Sequence, residues 1–199
     1  MNGEMLPPAD GATPLTAEEE RDLAISIALR AELNAFEREN ILEARRWALR
    51  ERTLARDDLL TEDFLRELHR RMFRRVWRWA GKYRATERNL GVPLIRLHQD
   101  LRLLLDDARY WLAQNTYPKD EIAIRFHHRL VVIHPWPNGN GRHARLMADI
   151  LVRRQGQPPL TWGAGASLAE SGTARQRYLA ALRAADDGDI QRLLLFARS

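Results

Sequence analysis

Residues 134–145 hold the side chains best suited to chemistry: His134, Pro135, Trp136, Pro137, Asn138, Gly139, Asn140, Gly141, Arg142, His143, Ala144 and Arg145. Gly139 and Gly141 permit positive φ and leave no side chain between backbone N–H groups and a ligand. They open a helix, and a helix N-terminus already favours negative charge. Arg142 and Arg145 stand three apart on one helical face, where both guanidinium forks can pair bidentately with phosphate oxygens. His134 comes just before the loop, placed so that a neutral imidazole takes a proton from a hydroxyl approaching a bound phosphate. Together these residues describe a polyphosphate site, such as ATP would fill, with a base beside it. An ordinary turn and cap would explain Gly-Asn-Gly alone. It does not explain the histidine and the paired arginines at the same helix–loop–helix junction.

Two helices must hold that loop. Pro118 opens one, with Ile122, Phe126, Leu130 and Ile133 on its stripe; the other spans Arg142 to Arg153, buries Met147, Ile150 and Leu151, and stops at Gly156 before Pro158 and Pro159. Arg142 and Arg145 face away from that apolar side. Upstream, Leu33, Phe36, Ile41, Ala44 and Trp47 predict a long amphipathic helix from about Arg30 to Glu51. Thr61 caps another, carrying Phe64, Leu65, Leu68 and Met72. Leu101, Leu104, Leu105, Ala108, Trp111 and Leu112 mark a further helical face. The run from Val76 to Arg96 breaks the period and reads as a loop or small hairpin around Asn89 and Gly91. Ala174 to Asp187, a Gly188 stop and an Asp189 cap complete the chain with two helices. Residues 1–15, with Pro7, Pro8 and Pro14, predict an extended arm, and Thr16 to Glu19 has the form of a capping box opening a short helix. His127 and His128 lack carboxylate or cysteine companions at ligand spacing and read as packing or hydrogen-bonding residues. His143 reads as a helix-surface residue, and Trp162 and Tyr178 as core aromatics rather than adenine platforms.

The chain has 199 residues, 45% of them hydrophobic, enough for one substantial core. With no cysteine, disulfides, thiolate metal sites and cysteine nucleophiles are excluded. The first residues carry no signal-peptide pattern and no segment has the length of a membrane span, so a cytoplasmic protein without membrane contact is expected. The net charge of +5 comes almost wholly from arginines interspersed with Glu and Asp, which describes solvated helix faces; nucleic acid is not the expected partner.

The 134–145 segment resembles the signature of the Fic family, His-x-Phe-x-(Asp/Glu)-Gly-Asn-(Gly/Lys)-Arg-x-x-Arg, with Trp136 at the aromatic position. Residues Val76 to Arg84, Thr161 to Gly163 and Tyr178 to Phe196 are similar to the bacterial subgroup called mobile mystery protein B. The resemblance implies a mainly α Fic-type helical bundle over 30–199 with a small β-hairpin flap, preceded by an arm at 1–29. It implies protein adenylyltransferase chemistry, in which AMP passes from ATP to a hydroxyl of a target protein. His134 would be the base, Gly139, Asn140 and Gly141 the anion hole, and Arg142 and Arg145 the β- and γ-phosphate ligands. Gly141, where a phosphate-transferring branch carries lysine, implies AMP transfer. The target would dock at the flap, residues 86–96, by strand addition. Asn138 stands where the family has the carboxylate that holds Mg²⁺; the resemblance implies ATP and Mg²⁺ as cofactors with the neutral oxygen of Asn138 as a metal ligand of reduced affinity, and it keeps open a second reading, a regulatory nucleotide-binding module with weak or no transfer. Family members also carry an inhibitory helix, and Glu20 falls at its glutamate position. Arg21 departs from that pattern, so a plain capped helix start remains the competing reading. A regulatory partner would act through such a helix.

Overall fold

The structure, a computed structural model, describes residues 30–163, 168 and 172–199. The 1–29 arm and Glu20 lie outside the described residues. The chain divides between Leu160 and Thr161 into two compact units.

Among the described residues the larger unit contains six α-helices: α1 Arg30–Ala48, α2 Glu51–Leu54, α3 Glu62–Phe73, α4 Leu97–Gln114, α5 Lys119–Ile133 and α6 Asn140–Arg154. Thr61 caps α3 as its type and position predict, its Oγ1 accepting from the Phe64 N–H at 3.2 Å. Phe64, Leu65, Leu68 and Met72 are fully buried along that helix. α1 packs against α3, α4 against α5, and α5 against α6. Helix α6 is covered on nearly every side, from Asn140 through Ala144, Met147 and Ala148 to Val152, and is therefore the core element that the others surround. Its buried Asp149 carboxylate pairs with Arg45 of α1 at 3.2 Å. Past Arg154 the Gln157 N–H reaches the Val152 carbonyl at 2.9 Å and the Gly156 N–H reaches Arg153 at 3.0 Å, with Gly156 at φ +74°. That paired arrangement stops the helix at the predicted glycine.

One expectation needs correction, and the small hairpin is not confirmed. The face α1 buries is Glu37, Asn40, Ala44 and Ala48, whereas Phe36 is 47% exposed; the helix is rotated from the apolar stripe, and buried Glu37 finds Trp77 and Arg142 as partners inside. The 76–96 stretch carries no strand ladder among the described residues. It runs as irregular backbone into a 3-10 turn, Leu94–Arg96, ahead of α4. Its segment 84–92 is held by a buried arginine in place of cross-strand pairs.

The second unit contains α7 Thr173–Asp186 and α8 Ile190–Arg198, packed on one another. Tyr178 and Phe196 meet at 5.7 Å, and the Thr161 and Trp162 N–H groups both bond to the Ala197 carbonyl. Trp162 and Tyr178 are buried there, in line with their reading as core aromatics.

Candidate active site

His134 ends α5. Its N–H still bonds to the Leu130 carbonyl at 3.2 Å, but its backbone turns left-handed, φ 56° and ψ 57°. A single left-handed residue ends the helix and swings the chain into the loop. The residue is 8% exposed, with Nδ1 lying 3.3 Å from the Val131 carbonyl. A carbonyl only accepts, so Nδ1 carries the proton and the lone pair lies on Nε2. Burial pushes the pKa down to about 4, helped by the nearby Arg84 and Arg88 charges and opposed by the Val131 bond. At neutral pH this side chain is an uncharged imidazole of fixed tautomer, the form a general base requires.

The loop after His134 is fixed by buried aromatic and polar contacts. Trp136 is fully buried, stacked on His69 at 4.2 Å and on Tyr83 at 4.8 Å. His69 Nδ1 accepts the Gly81 N–H at 2.9 Å, so its Nε2–H donates to the Asn138 carbonyl at 3.1 Å. His143 works the same way, Nδ1 accepting from Trp136 Nε1 at 3.3 Å and Nε2–H donating to the Leu65 carbonyl at 3.0 Å. Burial holds both rings neutral, His69 well below the usual range and His143 at about 3. His143 is thus not a surface residue: it points inward from α6 and ties the loop to α3. His127 is fully buried too, bonded to the Ala144 backbone, with its pKa lowered to about 3 by burial and by the Arg145 charge.

The candidate anion-binding part begins at Gly139, which caps α6 at φ +81°. A Cβ there would lie 2.5 Å from Phe73 Cζ, so only glycine brings the loop this close to α3. Gly139 offers no capping oxygen, and the first-turn amides of Asn140, Gly141 and Arg142 have the geometry that receives an anion. Asn140 takes part through its backbone alone, because its side chain is committed. Its Oδ1 accepts from the Trp136 N–H at 2.9 Å and its Nδ2 donates to the Trp136 carbonyl at 2.9 Å. Arg142 lies over the Phe73 ring at 4.8 Å; its Nη1 pairs with Glu37 at 2.5 Å and its Nη2 donates to Asn138 Oδ1 at 3.1 Å. Glu37 also accepts from Trp77 Nε1 at 2.6 Å. Arg145 sits one turn further along α6, half-buried.

Asn138 does not fit the part of a Mg²⁺ ligand. Its oxygen is neutral and already accepts from the Arg142 guanidinium, where Mg²⁺ prefers an anionic carboxylate oxygen.

The structure therefore brings His134, Asn138, Gly139, Asn140, Gly141 and Arg142 together in one loop and the first turn of α6, with Arg145 following. Three partners were not foreseen from the chain. Glu37 looked like one charge among many on α1. Its only signal was a recurrence of small or polar residues at Glu37, Asn40, Ala44 and Ala48. His69 gave no signal. Arg84, in an irregular stretch, gave none either.

Residues 59–152 match the Fic/DOC family. Among curated proteins, the chain is 30% identical over 145 residues to the protein adenylyltransferase Fic of Culex quinquefasciatus, covering 71% of this chain and 27% of that protein. It is 31% identical over 144 residues to the protein adenylyltransferase Fic of Drosophila melanogaster, covering 70% and 27%. The chain thus spans a little over a quarter of the length of these relatives. Among solved structures it is similar to Fic-1 (residues 134–508, E274G) of C. elegans, with TM-score 0.68, 25% identity and coverage of 87% and 50%. The fold is shared by BepC of Bartonella tribocorum with bound AMPPNP, at TM-score 0.61, 15% identity and coverage of 86% and 87%. Motif, helical architecture and loop geometry agree: the chain carries a Fic/DOC family domain over residues 59–152.

Proposed function

We propose that this chain is a protein adenylyltransferase that transfers AMP from ATP to a hydroxyl side chain of a target protein. The observation that carries the reading is a buried, neutral His134 with its lone pair on Nε2, immediately before an uncapped helix N-terminus and Arg142. The target hydroxyl oxygen attacks the α-phosphorus and its proton passes to His134 Nε2. The bond from the α-phosphorus to the bridging oxygen breaks, and pyrophosphate leaves. Backbone amides at Gly139, Asn140 and Gly141 and the guanidinium groups of Arg142 and Arg145 hold the phosphates. In this reading residues 30–199 act as the Fic domain. No step is assigned to Mg²⁺, since any bound ion would be held mainly by the nucleotide. The target docks along residues 86–96, where Leu90 is 40% and Ile95 92% exposed and where the backbone is not already paired in a ladder.

The test is incubation with α-labelled ATP and candidate protein extracts. Label appears on a protein band with the wild type and not with His134→Ala. No label on any protein, the chain itself included, defeats the proposal.

A second reading has its own observation in its favour. Asn138 replaces a carboxylate and Arg142 is already paired with Glu37, which describes a module that binds nucleotide and turns it over slowly or not at all. Tight ATP binding without label transfer would select it.

A further inference from the structure

Arg84 is a buried cation whose side chain is wholly shielded from solvent, and its one carboxylate neighbour, Glu87, lies 3.6 Å away and is 66% exposed. Carbonyl oxygens surround it instead. Nε donates to the His134 carbonyl at 2.8 Å, Nη1 to Thr86 at 3.2 Å, and Nη2 to Val92. The Arg84 backbone N–H donates to the Pro135 carbonyl at 2.9 Å. One residue thus grips the two peptide planes that follow His134, on either side of Pro135, and, with the other face of the same fork, both ends of segment 86–92. The His134 carbonyl lies at the end of α5, where a cation also complements the helix dipole. The flap meets the histidine directly as well: a Cβ on Gly91 would lie 2.7 Å from His134 Cβ and 3.2 Å from Arg84 Nη2.

We propose that Arg84 is a positioning residue that locks the target-docking segment 86–92 to the His134 backbone, so that a hydroxyl presented by the flap arrives in register with Nε2. This rests on the reading of His134 as the transfer base. Arg84 touches neither nucleotide nor the reacting atoms. Its work is geometric, and it needs the planar fork: a lysine ammonium keeps the charge but cannot reach three carbonyls set around a guanidinium plane. Misplacement of a reacting group by about 1 Å costs on the order of 100-fold in rate.

The experiment compares wild type, Arg84→Lys, Arg84→Ala and Gly91→Ala. Circular dichroism checks the fold, a fluorescent ATP analogue reports nucleotide affinity, amide exchange follows residues 86–92, and nitrogen NMR reads the His134 tautomer. Label transfer is measured alongside. Both Arg84 variants should lose about 10- to 100-fold in kcat, while nucleotide affinity stays within about twofold. Exchange in 86–92 should rise, the His134 tautomer should lose its fixed Nδ1–H form, and methylguanidinium should partly restore Arg84→Ala. Gly91→Ala attacks the same joint from the flap side and decides the matter should the Arg84 variants fail to fold. Unchanged exchange and an unchanged tautomer in folded variants would overturn the proposal whether or not the wild type transfers AMP. Equal loss of nucleotide affinity and rate would overturn it too, as would an Arg84→Lys protein with wild-type kcat. Absence of transfer in the wild type would count against the adenylyltransferase reading alone, leaving exchange and tautomer to judge Arg84.

Discussion

Acid should unfold this protein earlier than its composition suggests, because four histidines are buried in the uncharged form. Burial lowers His134 to about 4 and His127 and His143 to about 3, and puts His69 well below its ordinary range. In the unfolded chain each returns to about 6.5. A folded pKa below the unfolded one favours the neutral ring in the native state. Its stabilisation is therefore complete above about pH 6.5 and is lost as pH falls toward the folded value. Within that window each ring contributes a slope of about 1.4 kcal/mol per pH unit, and His134, His127 and His143 together about 4. Between about pH 6.5 and 5 the summed loss of these three, roughly 6 kcal/mol, rivals the whole stability of a typical domain, and His69 acts in the same direction. Cooperative unfolding near pH 5 is expected, before His134 reaches its own midpoint. The assay is urea unfolding followed by circular dichroism at a series of pH values, paired with NMR of the histidine rings in the folded protein. His134→Asn should flatten the slope by about 1.4 kcal/mol per unit. An imidazole of His134 titrating near 6.5 in a folded protein would refute the reasoning, and so would a stability that stays level across this range.

Other perturbations test single contacts. Gly139→Ala forces a Cβ to within 2.5 Å of the Phe73 ring at positive φ, and should cost about 2–4 kcal/mol in chemical unfolding. In a Phe73→Leu background only the backbone part, about 1 kcal/mol, should remain. Asn140→Ala leaves the buried Trp136 N–H and carbonyl without their 2.9 Å partners, so a loss of about 2–4 kcal/mol and weaker nucleotide binding are expected by calorimetry. Glu37→Gln removes the charge 2.5 Å from Arg142 while keeping an acceptor for Trp77; ATP affinity should rise by roughly 10-fold as the guanidinium turns to phosphate. Asn138→Asp should make ATP binding depend on Mg²⁺, measured with and without EDTA, whereas the wild type shows little dependence.

Most of the local scaffold could be read directly. Thr61 caps, Gly156 stops and Pro118 starts helices by their own stereochemistry, which depends on a few neighbouring residues. Leu68 or Met147 falls on a buried face by helical period alone. The flap is the opposite case. Asn89 and Gly91 suggested a hairpin, since short-range turn chemistry is all the chain displays there, yet the segment is held by Arg84 bonds to carbonyls as far away as residue 134. His143 was misjudged for a related reason. A histidine among arginines near a helix start looks solvated until α3 supplies the Leu65 carbonyl that receives its proton.

The chain alone, then, pointed to a loop suited to phosphate and to His134 as the candidate base, because glycines, a helix start and two spaced arginines act within a dozen residues and carry their chemistry with them. Only the tertiary structure decided that Arg142 is already held by Glu37, that Asn138 serves a guanidinium, that His134 is neutral with its proton on Nδ1, and that Arg84 ties the flap to it. Each of these depends on burial and on partners far away in the chain. Such contacts follow from how helices pack, and no local pattern records them.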